Sequence, residues 1–126
     1  MGELAQHIAT NIIGGGALTQ DVYEIASDHL ERGSPSDIQA TRALFEDNVQ
    51  KARQALSTLT EEQLSKEWTM TAGDHVVLGP MPRGIVARGF LFNHVYHHRG
   101  EMIVYLRATG NKVPGLYGPT YEDGTA

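Results

Sequence analysis

Apolar side chains recur along this chain at the spacing of helix faces. Leu4, Ile8 and Ile12 follow one another at four-residue steps with Ala5 beside them, which predicts an amphipathic helix from Gly2 to about Ile13. His7, three residues after Leu4, falls on the edge of that stripe, turned inward. Gly14, Gly15 and Gly16 come next, and glycine disfavours helix by about 1 kcal/mol relative to alanine. The triplet is expected to end or bend the helix, or to admit a second backbone. From Ala17 to Leu30 the pattern is mixed, with Thr19-Gln20-Asp21 as a cap and Val22, Ile25 and His29 spaced for a short helix.

A second helix start is marked by Ser34 as cap, Pro35 at the first helical position and Asp37 as the capping-box acid. Ile38, Phe45, Val49, Ala52, Leu56 and Leu59 then form one face, with Arg42, Glu46, Gln50 and Arg53 opposite. Together they predict a helix of about six turns. Thr60-Glu61-Glu62-Gln63 repeats the capping-box pattern and predicts one more short turn before Trp68. Thr69 to Gly84 is broken by Gly73, Gly79, Pro80 and Pro82, with Val76-Val77-Leu78 as an extended piece. The last long helix runs from Arg83 to Thr109 on Ile85, Phe90, Phe92, Val95, Ile103, Val104 and Leu106, and Gly110-Asn111 closes it as a left-handed cap. Beyond it, Val113 to Pro119 reads as rigid coil that packs back through Leu116 and Tyr117. The expected class is all-α, with three main helices and short accessories in a single domain spanning residues 1–126.

Composition narrows the chemistry. The 126 residues include no cysteine, which excludes disulfides, cysteine-ligated zinc, iron–sulfur clusters and a cysteine nucleophile. A net charge of −5 leaves no basic surplus for non-specific nucleic-acid binding. No apolar run approaches the roughly 20 residues of a membrane span, and the expected location is cytoplasmic.

The chemistry-bearing residues gather in Asn93-His94-Val95-Tyr96-His97-His98-Arg99-Gly100-Glu101. On a helix, His94 and His98 stack at i and i+4, within reach of one divalent ion. Val95 stands where a zincin needs its glutamate, so that protease class is excluded. The pair alone is equally compatible with surface or hydrogen-bonded histidines. His7, inward on another helix, is what adds weight to a metal centre, because bundles build such centres from facing helices. His29 and His75 have no such context and are expected at the surface. Glu101 is within helix reach of both His97 and His98, either as an acceptor that fixes a ring tautomer or as an ordinary solvated charge. Arg83 and Arg99 are candidates to orient an anionic substrate, with a surface role the simpler reading for Arg99. Tyr96 and Trp68 read as core.

The run His94 to Met102, with Tyr105-Leu106-Arg107 and Val113 to Pro119 after it, resembles the C-terminal signature of the DinB family of DNA-damage-inducible-like metalloenzymes. Leu4 to Ala9 and Met81-Pro82-Arg83 are similar to further pieces of that pattern. The resemblance implies that His7, His94 and His98 ligate a divalent metal, zinc or nickel, with His97 adjacent and non-ligating. It also implies an antiparallel helical bundle, of four helices in relatives that are commonly dimeric and of three main helices in this chain. Glu101 departs from the glutamine usual there. The family's first helix has no counterpart before Leu4, so a homodimer is expected to supply the missing wall. The functional expectation is a metal-dependent transferase or hydrolase using metal-bound thiolate or hydroxide on a small-molecule substrate. The chain has no thiol of its own, so thiol chemistry needs a low-molecular-weight thiol co-substrate. The alternatives are a non-catalytic metal- or small-molecule-binding stress protein, and a dimeric helical module that binds no metal. Beyond those two arginine candidates, the sequence assigns no catalytic or substrate-binding residue.

Overall fold

A computed structural model describes residues 1–12, 14–25 and 37–123. Helix α1 (Gly2–Asn11) is followed by a single helical turn, α2 (Gly14–Ala17), and a short strand, β1 (Val22–Glu24). The long helix α3 (Ile38–Ser57) and the short α4 (Glu61–Ser65) precede a hairpin of β2 (Glu67–Ala72) and β3 (His75–Pro82). The chain then enters one continuous helical run: α5 (Arg83–Val86), a π-wound segment (Ala87–Asn93) and α6 (His94–Ala108).

The strands correct the all-α expectation. They form a three-stranded mixed sheet in the order β1-β2-β3, parallel between β1 and β2 and antiparallel between β2 and β3. Val22, Tyr23 and Ile25 suit an extended backbone better than a helix, and the Ile25 amide donates to the Thr71 carbonyl at 2.8 Å. The breakers of the 69–84 stretch prove to be hairpin parts. Gly73-Asp74 makes the two-residue connection, with Gly73 at φ 57°. Gly79, at φ 98°, sits where a Cβ would collide with the Trp68 carbonyl, so β3 can cross β2 closely only at a glycine. Glu24 ties the turn down: its carboxylate accepts from the Thr71 hydroxyl and, at 2.6 Å, from the Gly73 amide.

One face of the sheet carries the main core. Trp68 and Met70 pack with Ala17, Leu18, Val86, Ala87 and Leu91, and the Trp68 indole donates to the Ala17 carbonyl at 3.1 Å. Trp68 is therefore core, as the sequence suggested, whereas Tyr96 is half exposed. Arg83 is 2% exposed and belongs to the scaffold rather than to a substrate site. It donates to the Gln63 carbonyl at 3.0 Å and the Gln20 carbonyl at 3.1 Å, and pairs with the Asp21 carboxylate. One guanidinium thereby joins the approach to β1, the α4 turn and the start of the last helical run.

Helix α1 packs on α3 through an interface with polar members. Asn48, buried, donates to the Ala9 carbonyl at 2.9 Å, and Ala9 has no exposed surface. Asp37 is the cap of α3, accepting from the Ala40 amide at 2.7 Å; Ser34, Pro35 and His29 lie outside the described residues. The capping box at Thr60 forms as expected. Helix α6 closes as predicted, with Gly110 at φ 79° and the Asn111 amide reaching the Leu106 carbonyl at 3.0 Å. The tail differs in its anchor. Val113 is buried while Tyr117 is 87% exposed, and Arg99 lies against the Tyr96 and Tyr117 rings and donates to the Tyr117 hydroxyl at 2.8 Å. Arg99 thus holds the tail to α6.

Two outcomes follow. Arg83→Met leaves two carbonyls without their donor and lowers unfolding free energy by about 2–3 kcal/mol in urea denaturation. The hydrogen bonds from Thr71 and Gly73 hold the Glu24 carboxyl below its ordinary value near 4.5. Its contribution is therefore present above that pH and is lost as the pH falls through the lowered value. Glu24→Gln melts earlier than the parent at pH 7, and the gap between the two closes on acidification.

Candidate metal centre

Two distant segments bring three imidazoles together. Helix α1 carries His7 on the face turned to α6, because the Ala9 side of α1 is occupied by α3. The π-wound segment precedes His94, and its wider turn resets the phase of the side chains that follow. His94 and His98 then stand one turn apart on α6 with ring centroids 4.5 Å apart. The His7 ring meets both edge-on, its centroid 5.2 Å from that of His94 and 4.5 Å from that of His98. His7 Nε2 is 3.3 Å from His94 Nε2, and one ring nitrogen from each of the three histidines lies within 4.8 Å of the others. All three rings are half-buried.

Nitrogens sharing one tetrahedral ion at about 2.0–2.1 Å stand roughly 3.3 Å apart. The His7–His94 separation already has that value, and the third nitrogen lies within 4.8 Å of both. The hydrogen bonding of the rings agrees with the same donor set. His98 Nδ1 is 2.6 Å from Glu101 Oε2, and an ionised carboxylate only accepts, so the His98 proton sits on Nδ1. In the neutral form of that ring Nε2 carries the lone pair, and this atom is buried with no hydrogen-bond partner among the described residues. A buried acceptor left in that state is costly unless something binds it.

Glu101 also reaches His97 Nε2 at 3.3 Å, so it serves both rings that the sequence placed within its reach. The bond from His98 holds the Glu101 carboxyl below the ordinary carboxylate range. His97, His98 and Glu101 form a second group of closely spaced donors, but their facing atoms are already paired with one another. Burial, followed by the neighbouring His98 and His97, pushes the His94 imidazole below the ordinary histidine value, which favours a neutral ring. Phe90 lies against His94 with centroids 5.5 Å apart and gives the cluster an apolar flank.

Asn11 escaped the sequence reading. Its amide is 2.8 Å from His94 Nδ1, and it lies four residues beyond His7, on the same face of α1. That spacing was the available signal. His75 is exposed at the start of β3, as expected, and Arg83 is far from the cluster in function, committed to the scaffold.

The profile of the DinB family matches residues 27–126. The chain belongs to the DinB family. The matched region of this DinB chain contains His94 and His98 but begins after His7, which reaches the pair only through the fold. The uncharacterized protein YrdA of Bacillus subtilis (strain 168) is 49% identical over 43 residues, which is 34% of this chain. That segment spans 25% of the length of this curated relative. No solved structure matches the chain significantly.

Proposed function

We propose that this DinB protein is a metal-dependent enzyme that holds a divalent ion, zinc or nickel, on His7, His94 and His98. The observation that carries the reading is the buried, unpartnered Nε2 of His98 beside two further half-buried imidazoles. Three nitrogen donors leave at least one coordination position open, the arrangement of a catalytic rather than a structural centre. A bound divalent ion supplies Lewis acidity there to a water or a low-molecular-weight thiol. The chain's own residues do the rest. Glu101 accepts a hydrogen bond from the His98 Nδ1–H and so keeps the Nε2 lone pair inward, His97 shares that carboxylate from the outer side, and Phe90 lies against the His94 ring. The reaction class that fits is transfer of a thiol to an electrophile, or hydrolysis, on a small molecule.

A non-catalytic metal-binding role is the competing reading. It is favoured by the pairing of Glu101 with both His97 and His98, which leaves no uncommitted carboxylate at the cluster among the described residues. Protein purified without a histidine tag or nickel column is expected to contain about one divalent ion per chain by elemental analysis, and His94→Ala and His98→Ala are each expected to lose most of it. Full metal content in both variants overturns the ligand assignment. Conjugation of a model thiol to monochlorobimane by the loaded protein, lost in the same variants, then separates catalysis from storage.

The partner that fits the outer face of the last helical run is a second copy of the chain. Ile85 is 62% and Val104 65% exposed, and Phe92 and Tyr96 lie exposed between them. Apolar residues spread along a helix in this way are a common mark of an interface, and two-fold pairing is the simplest way to cover them. Light scattering at micromolar concentration is expected to return a dimer, and Ile85→Glu with Val104→Glu a monomer.

A further inference from the structure

We infer that Asn11 is the positioning residue that selects the tautomer of His94, and that its amide has two working settings. The inference rests on the metal reading of the cluster. A neutral imidazole carries one proton, on Nδ1 or on Nε2, and only the unprotonated nitrogen can take a metal. His94 Nε2 faces His7 Nε2 at 3.3 Å, while its Nδ1 faces the Asn11 amide at 2.8 Å. Whatever Asn11 presents to Nδ1 therefore decides what Nε2 shows to the centre.

In one setting the Asn11 NH2 group donates to Nδ1. The ring proton is then on Nε2, where it is donated to His7 Nε2, and the two rings close on each other without an ion. In the other setting the amide is reversed and Oδ1 accepts from Nδ1–H. The Nε2 lone pair of His94 then points at the centre. The Phe90 backbone carbonyl, one helical turn back, is also within hydrogen-bonding reach of this ring. Asparagine is suited to both settings because one end of its amide donates and the other accepts. Aspartate in its place could only accept, and leucine could do neither. Asn11 resembles Glu101 in acting through the outer nitrogen of a ring, but Glu101 fixes its ring in a single state.

The test uses the full-length protein at pH 8, with zinc alone as the probe. Affinity is measured by competition with a chromophoric chelator, and ring tautomers by long-range 15N–1H correlation of histidine-labelled protein. In the parent, the His94 proton is expected on Nε2 without zinc and on Nδ1 with it. Asn11→Leu is expected to lower zinc affinity about 10- to 100-fold, the usual effect of removing such an outer partner. Asn11→Asp is expected to hold the Nδ1–H tautomer in both states and to bind zinc at least as tightly as the parent. Parent affinity in Asn11→Leu, or a His94 tautomer that does not change on loading, overturns the inference. Undiminished zinc binding in His98→Ala overturns the parent reading instead, so the two failures are told apart.

Discussion

The buried Asn48 side chain donates to the Ala9 carbonyl, and the place of His7 follows from that bond. Ala9 lies in the last turn of α1, where the helix itself supplies no amide donor to the carbonyls, so the Asn48 side chain caps one of them and fixes α1 in both rotation and height on α3. A purely apolar contact would tolerate sliding, because burial is non-directional. A hydrogen bond from a fully covered amide does not. His7 and Asn11 sit on the side of α1 that this bond turns away from α3, and they meet the ring of His94, 87 positions after His7. The cluster depends on that long-range closure more than on any local preference for helix.

The other half of the site is set by the sheet. Arg83 gathers the ends of three segments just where the last helical run begins, and Trp68 and Met70 pack against Val86, Ala87 and Leu91 on its first turns. The direction of the run is thereby fixed before it reaches the histidines. Strands that contribute no residue to the cluster determine how α6 approaches α1. This division of labour explains why the largest buried side chains, Trp68 and Arg83, lie away from the candidate chemistry.

Much of this was legible in the sequence, and the exceptions have physical causes. The i, i+4 spacing of His94 and His98 and the inward edge position of His7 are local consequences of helix period, and the rings do converge. Gly110 announced the end of α6 for the same local reason. The sheet is hidden in the sequence because Gly73, Gly79, Pro80 and Pro82 look like interruptions of the pattern. Gly73-Asp74 between Thr71-Ala72 and His75-Val76 is itself a hairpin signal, and its partner strand at Val22–Glu24 is too short to show alternation. Arg83 could not be assigned because its acceptors are backbone carbonyls, which leave no trace in side-chain pattern. Tyr117 was expected to pack as an apolar anchor, yet it serves as a polar and stacking partner for Arg99.

The π winding between Ala87 and Asn93 separates two properties that usually travel together. Each residue of an ordinary α-helix advances the side-chain direction by about 100°. Rewinding the same seven residues with regular i to i+4 bonding would swing His94 and His98 around the axis by about one residue's worth of rotation, away from α1. The helix would gain regularity and the imidazoles would lose their meeting point. The chain keeps a less regular backbone at the one stretch where regularity and convergence compete.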